Sequence, residues 1–135
     1  MSISKINPTG LYDGAATGMS QATVDTELGL VFISGQVDWN MEHAVKHQDI
    51  ASQTKSAIKN LVTVLEESHS SVENLLQLRV YVRGEVADHM DHIVPIITEQ
   101  LGKSRPALTG VGVASLASPD ILIEIEAIAK VARAI

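Results

Sequence analysis

The chain has 135 residues, a formal net charge of −6, 45% apolar residues, 3% aromatics and no cysteine. That length supports one core, so residues 1–135 read as a single domain built from Val, Ile, Leu and Ala. The acidic balance and the lack of any basic block argue against a nucleic-acid partner, the few aromatics cannot form a base-stacking platform, and the missing cysteines remove disulfides, thiolate catalysis and Cys-based metal sites.

Residues 1–10 carry no basic-plus-apolar leader pattern, and no apolar run reaches transmembrane length, so the cytoplasm is the expected location and no membrane partner is expected. Thr23 to Val37 reads as two short strands around a turn at Glu27-Leu28-Gly29. Leu30 to Ile33 is apolar on both alternations, which predicts burial on both faces. In a small domain the second cover is often another subunit. Asp38 to His47 is polar and reads as a loop. Asp49 to Glu67 predicts a helix, because Ile50, Thr54, Ala57, Ile58, Leu61, Val62 and Leu65 make one apolar stripe, with Asp49 as its N-cap.

Leu75 to Val82 predicts a strand with Leu76, Leu78, Val80 and Val82 on one face and Gln77, Arg79 and Tyr81 on the other, ended by Gly84. Val86 to Leu101 predicts a second helix in which Pro95 forces a kink or a shifted start, with Gly102 as its C-cap. Ala107 to Leu116 and Ile121 to Val131 are the last strands. The order ββαβαββ predicts an α+β two-layer sandwich, a mixed sheet with two helices on one face.

The last strand places Glu124 and Glu126 on one face with Leu122 and Ile128, opposite Ile121, Ile123, Ile125, Ala127 and Ala129. Apolar cover would raise a glutamate pKa toward the range useful in acid–base work. Spacing alone favours two solvated glutamates instead. In Ser34-Gly35-Gln36 the glycine permits close approach of a ligand or a backbone, or marks a simple bulge. A Ser34 nucleophile has no Gly-x-Ser-x-Gly context to support it. His89 and His92 lie three apart on a helix, a weak metal pattern better read as a solvated face. His43, His47 and His69 sit in polar stretches. Gly110 and Gly112 lie within a strand pattern and read as close-packing positions; no metal or cofactor is implied.

Arg105-Pro106-Ala107-Leu108-Thr109-Gly110-Val111-Gly112-Val113, with Ile123-Glu124-Ile125-Glu126-Ala127 and Phe32-Ile33-Ser34-Gly35-Gln36-Val37, resembles the RidA/YjgF (Rid) family of reactive-intermediate deaminases. The resemblance extends from Met19 to Ala129. It implies a chorismate-mutase-like fold and a homotrimer with small-molecule clefts between subunits. In deaminating members, an arginine in Pro-Ala-Arg-Ser/Thr grips the carboxylate of a 2-imino acid, and a glutamate on the last strand positions water. Carried over, Glu124 is the candidate catalytic residue, and Met19, Ser34, Gly35, Val94, Leu108 and Thr109 are candidate ligand-binding residues.

Gly35, Thr109 and Glu124 match the family pattern. Leu108 stands at the arginine position, Met19 at a usual tyrosine and Val94 where an asparagine often stands, so the implied cleft is less polar. Arg79 is a candidate replacement cation. Arg105 is an odd number of residues from Leu108 and would point to the opposite face of a continuous strand. These departures imply a ligand-binding branch without general 2-imino acid deaminase activity; the alternative is an enamine or imine deaminase with Glu124 orienting water. Ribonuclease or translation-inhibitor names attached to some members fit the acidic balance poorly.

Overall fold

The computed structural model describes residues 2–132. The elements run β1 (Ile3–Ile6), β2 (Ala22–Asp25), β3 (Leu30–Gln36), α1 (Ile50–Glu67), β4 (Leu75–Arg83), α2 (Met90–Leu101), β5 (Ala107–Val113) and β6 (Ile123–Lys130). The strands form one mixed sheet in the order β1-β2-β3-β6-β4-β5, with both helices on one face. This is the expected α+β sandwich with one addition. Strand β1 pairs antiparallel with β2 at the sheet edge, and its residues are almost all exposed. A strand without a buried alternation gives no period-2 signal in the sequence.

Helix α1 forms where its apolar stripe predicted. The Asp49 carboxylate accepts from the Ser52 amide at 2.9 Å, closing the first turn. Ala57, Ile58, Leu61, Val64 and Leu65 are fully buried beneath the sheet. The same helix buries Gln53, which acts as a brace. Its Nε2 donates to the carbonyls of His47 (3.0 Å) and Asp120 (2.9 Å), and its Oε1 accepts from the Leu122 amide at 2.8 Å. One glutamine thus fixes the approaches to α1 and β6.

Helix α2 begins at Met90 rather than Val86, because a separate 3₁₀ turn takes Val86–Asp88. The late start puts Pro95 in the second turn, where its missing N–H deprives only one nearby carbonyl of a partner. Ile93, Ile97 and Leu101 recur every four residues and bury the helix's inner face. Gly102 caps it with a positive φ of 58°. α2 also supplies the crossover that lets β4 and β5 run parallel.

In β4 the buried set is Leu75, Leu78, Val80 and Val82, whereas Leu76 is 45% exposed. A register shift against β6 between Leu75 and Gln77 inserts the extra residue that turns Leu76 outward. Strand β5 stops at Val113 and β6 starts at Ile123, each shorter than expected. The intervening turn is occupied by Arg83, whose guanidinium donates to the carbonyls of Ile121, Ala114 and Ser118. Gly112 is a close-packing position: a side chain there would strike the Gly84 carbonyl oxygen. Gly110 is looser, with Val86 at 3.8 Å from a built Cβ.

The helix-facing side of the sheet is the core, with Val31, Ile123, Ile125 and Ala129 at 0% exposure. No helix among the described residues covers the other side. Phe32 (45% exposed) and Val111 (37%) lie there with the half-buried Ile128 that pairs with Phe32. The sequence expectation of burial on both faces of Leu30–Ile33 is therefore met on one face only inside this chain.

Candidate functional site

Gly35 and Glu124 meet on the open side of the sheet. Between Ile33 and Gln36, β3 carries one more residue than β6 does between Ala127 and Ile125, so Ser34-Gly35 forms a bulge. The Glu124 side chain lies directly over Gly35: a Cβ built there would come within 2.7 Å of Glu124 Cγ and closer still to the carboxylate. The glycine that could have admitted a ligand or a backbone admits a carboxylate instead.

Glu124 is half-buried, and that burial, aided by the like charge of Glu126, raises its pKa. Glu126 is engaged by the Tyr81 hydroxyl, which in turn holds the Tyr81 phenol above its ordinary pKa. Ser34 Oγ donates to the Ser20 carbonyl at 2.7 Å, which fixes the bulge against the segment carrying Met19.

A buried glutamine pair brings further residues to this place. Gln36 Nε2 donates to Gln21 Oε1 (2.9 Å) and to the Ser34 carbonyl (3.0 Å), while Gln21 Nε2 donates to the Tyr12 carbonyl at 3.0 Å. Tyr12 is thereby anchored beside the bulge, buried, with its hydroxyl 3.9 Å from Met19 Sδ. Burial raises the Tyr12 pKa, a Gln21 hydrogen bond opposes the rise, and the Glu124 charge adds to it.

The loop after β3 completes the wall. The fully buried Asp38 accepts from the amides of Lys46 (3.1 Å) and His47 (2.7 Å) and pairs with His47 Nδ1 at 3.1 Å. With the turn so pinned, Tyr12, Trp39 and His43 pack with ring centroids 4.9–5.2 Å apart and steep interplanar angles. Sequence reasoning left Tyr12 and Trp39 out. The available signal was scarcity: these are half of the chain's four aromatic residues, and both flank the candidate segments.

Leu108 stands apart from this cluster. β4 and β5 pair Leu78 with Leu108, so Leu108 faces the helix side, where it lines an apolar groove of about 380 Å³ with Val80, Val82, Met90, Val94 and Thr98. Leu108 and Val94 are thus together. Thr109 pairs with Arg79 and faces the open side, the side of Glu124. Within one chain Leu108 and Glu124 are on opposite faces of the sheet.

No arginine fills the space beside Leu108 in the groove's lining. Arg79 lies on the open side opposite Glu126, and Arg83 is taken up by carbonyls. The expectation that Arg105 points away from Leu108 assumed an unbroken strand. β5 begins only at Ala107, and Arg105 has a left-handed φ of 46°, so strand alternation does not set its direction. His89 precedes α2 and His92 sits in its first turn; among the described residues no three His, Asp or Glu side chains are placed to hold a metal ion. No described helix is long and apolar enough to cross a membrane.

Comparison with known proteins gives a consistent picture. The family model described as Endoribonuclease L-PSP matches residues 14–131. A RutC family protein of Pyrococcus abyssi is 33% identical over 100 residues, covering 73% of this chain and 76% of its own length. The mitochondrial protein MMF1 of Saccharomyces cerevisiae is 26% identical over 123 residues, 90% of this chain and 82% of its own. Among solved structures, a Mycobacterium tuberculosis member of the YjgF/YER057c/UK114 family has a TM-score of 0.80 at 26% identity, covering 96% of this chain and 99% of that one. The Rid-family protein YyfB of Yersinia pestis has a TM-score of 0.71 at 32% identity, with coverage of 96% and 99%.

Proposed function

The chain belongs to the L-PSP (YjgF/Rid) family, and from that premise we propose that it binds a small organic metabolite in clefts between the subunits of a homotrimer, without general 2-imino acid deaminase activity. The observation that carries this reading is Leu108. At the position where the family resemblance implies a carboxylate-gripping arginine, the chain presents an aliphatic side chain in an apolar groove with Val94 and Met90. A charge-assisted hydrogen bond contributes about 1.5–3 kcal/mol, so a 2-imino acid loses at least its main anchor there.

Two features support assembly. Leu108 and Glu124 face opposite sides of one sheet, so a cleft using both needs two chains. Phe32, Val111 and Ile128 also leave an apolar strip on the open side, which a second subunit would cover.

A second reading, an enamine or imine deaminase, is favoured by Glu124 itself. Its raised pKa suits a carboxyl that holds and polarises water against the substrate. Ammonia release from freshly generated 2-iminobutanoate and 2-iminopropanoate separates the two readings. The first expects no release above the uncatalysed rate. Robust turnover that disappears in Glu124→Ala establishes the second and overturns the first. Light scattering tests the assembly, with three copies of the 14.4 kDa chain expected.

A further inference from the structure

The Glu124 site contains a carboxylate that no cation among the described residues pairs with. The ion pairs found among the described residues are those of Asp38 with Lys46 and His47. Glu124 has none. Its charged neighbours on the same face are Glu126, of like sign, and Arg79, which stands across from Glu126 and beside Tyr81 rather than pairing with Glu124; Arg83 is held within the turn before β6. A half-buried unpaired carboxylate is a costly arrangement that a bound cation relieves.

Beside it stands the aromatic wall. Tyr12 and Trp39 meet edge to face at 5.2 Å, with His43 against both. Among the described residues the Tyr12 hydroxyl donates to the Met19 thioether, a weak acceptor at 3.9 Å. Aromatic rings and thioethers pack against apolar groups, and ring faces attract cations. An acid ligand meets two glutamates here, while the cation on the same face, Arg79, is already set against Glu126 and Tyr81. The opposite polarity fits.

We infer that the Glu124 site takes a cationic amine with an apolar or aromatic substituent, its ammonium on the Glu124 carboxylate and its substituent against Met19, Tyr12 and Trp39. This rests on the reading of the Glu124 cleft as a ligand site and selects the class of ligand within it. The apolar character of Leu108 and Val94 follows the same logic, since neither offers a group that would prefer an anion.

Trp39 is the sole tryptophan of the chain, so its fluorescence reports on this site directly. The full-length protein is titrated with benzylamine, benzyl alcohol and benzoate, probes of similar shape and different charge. Saturable binding of benzylamine, ahead of both analogues, supports the inference. Glu124→Gln, which keeps the packing over Gly35, should then weaken benzylamine about ten- to hundredfold and leave benzyl alcohol unchanged.

Preference for benzoate or benzyl alcohol overturns the amine assignment while leaving the cleft reading in place. No saturable response to any probe, checked by calorimetry, overturns both. Benzylamine binding that is unaffected by Glu124→Gln also overturns the assignment, because the ammonium would then lie elsewhere.

Discussion

Replacing Gly35 by alanine should separate the site from the fold. Gly35 is not among the glycines with positive φ, so alanine can adopt its backbone, and relative to glycine it gains about 0.5–1 kcal/mol in a strand. The added methyl group would overlap Cγ and the carboxylate of Glu124, and all three nearest atoms belong to that one flexible side chain. Glu124 can swing away at a rotamer cost of about 0.5–1.5 kcal/mol. The two effects nearly cancel, so the melting temperature should move by less than about 4 °C, the equivalent of roughly 1 kcal/mol in a domain of this size. The carboxylate, however, leaves its place in the cleft. Benzylamine affinity, followed through Trp39, should fall about ten- to hundredfold, as in Glu124→Gln. A large loss of melting temperature would show that the bulge itself cannot accept a Cβ. Intact affinity would show that Glu124 does not act from above Gly35, and either result refutes the reasoning.

Three further outcomes follow from the same geometry. Leu108→Arg places a guanidinium on a half-exposed groove wall (50%), so the fold should tolerate it; ammonia release from 2-iminobutanoate should rise at least about tenfold, and no gain would mean that this position does not address the ligand. Burial and Glu126 raise the Glu124 pKa, so the native state holds that proton more tightly than the unfolded chain, and stability should fall as pH rises from the ordinary glutamate value through the raised one. Glu126, Arg79, Tyr81 and Tyr12 face the same space, so the diagnostic is the difference between wild type and Glu124→Gln in a urea-midpoint series across that window; equal slopes would refute the assignment. Gln53→Met leaves the His47 and Asp120 carbonyls and the Leu122 amide without their partner, which should cost about 3 kcal/mol in urea unfolding, and a loss below about 1 kcal/mol would mean water replaces the brace.

The elements that the sequence revealed were those with a clean period. α1 has a stripe and a cap and formed as read, and β6 alternates buried Ile and Ala with Glu and formed with the expected faces though shorter at both ends. Strand β1 was missed because exposed edge residues have no buried alternation to show. The outward turn of Leu76 was missed because a bulge in β4 breaks the parity on which face assignments depend. The site divided along similar lines. Glu124 and Gly35 were legible through the family resemblance, since spacing alone favoured solvated glutamates and left Gly35 open as a simple bulge. Their contact was not, because it depends on the register of the Ser34-Gly35 bulge. Tyr12 and Trp39 are brought to the Glu124 bulge through the Gln21–Gln36 pair and the Asp38-pinned loop, links between positions distant in the chain that no local pattern announces.

The same residue, Leu108, underlies both the proposed absence of general imine chemistry and the inferred amine ligand. A carboxylate-gripping cation and a water-positioning glutamate make a polar, charge-balanced cleft that suits an acid. On the proposed reading this chain has the glutamate as Glu124 and Leu108 in place of the cation, while Arg79 stands opposite Glu126 and Arg83 is taken up by carbonyls. Removing one charge of a complementary set does not make the site neutral; it reverses the sign of what the site prefers. If the inferred ligand site holds, Glu126 beside Glu124 and the Tyr12–Trp39 pair next to them would favour a cation over the acids that such an arginine would hold. One substitution on the helix side of the sheet would then change the ligand class of a carboxylate on the other side, provided that neighbouring chains bring the two faces together.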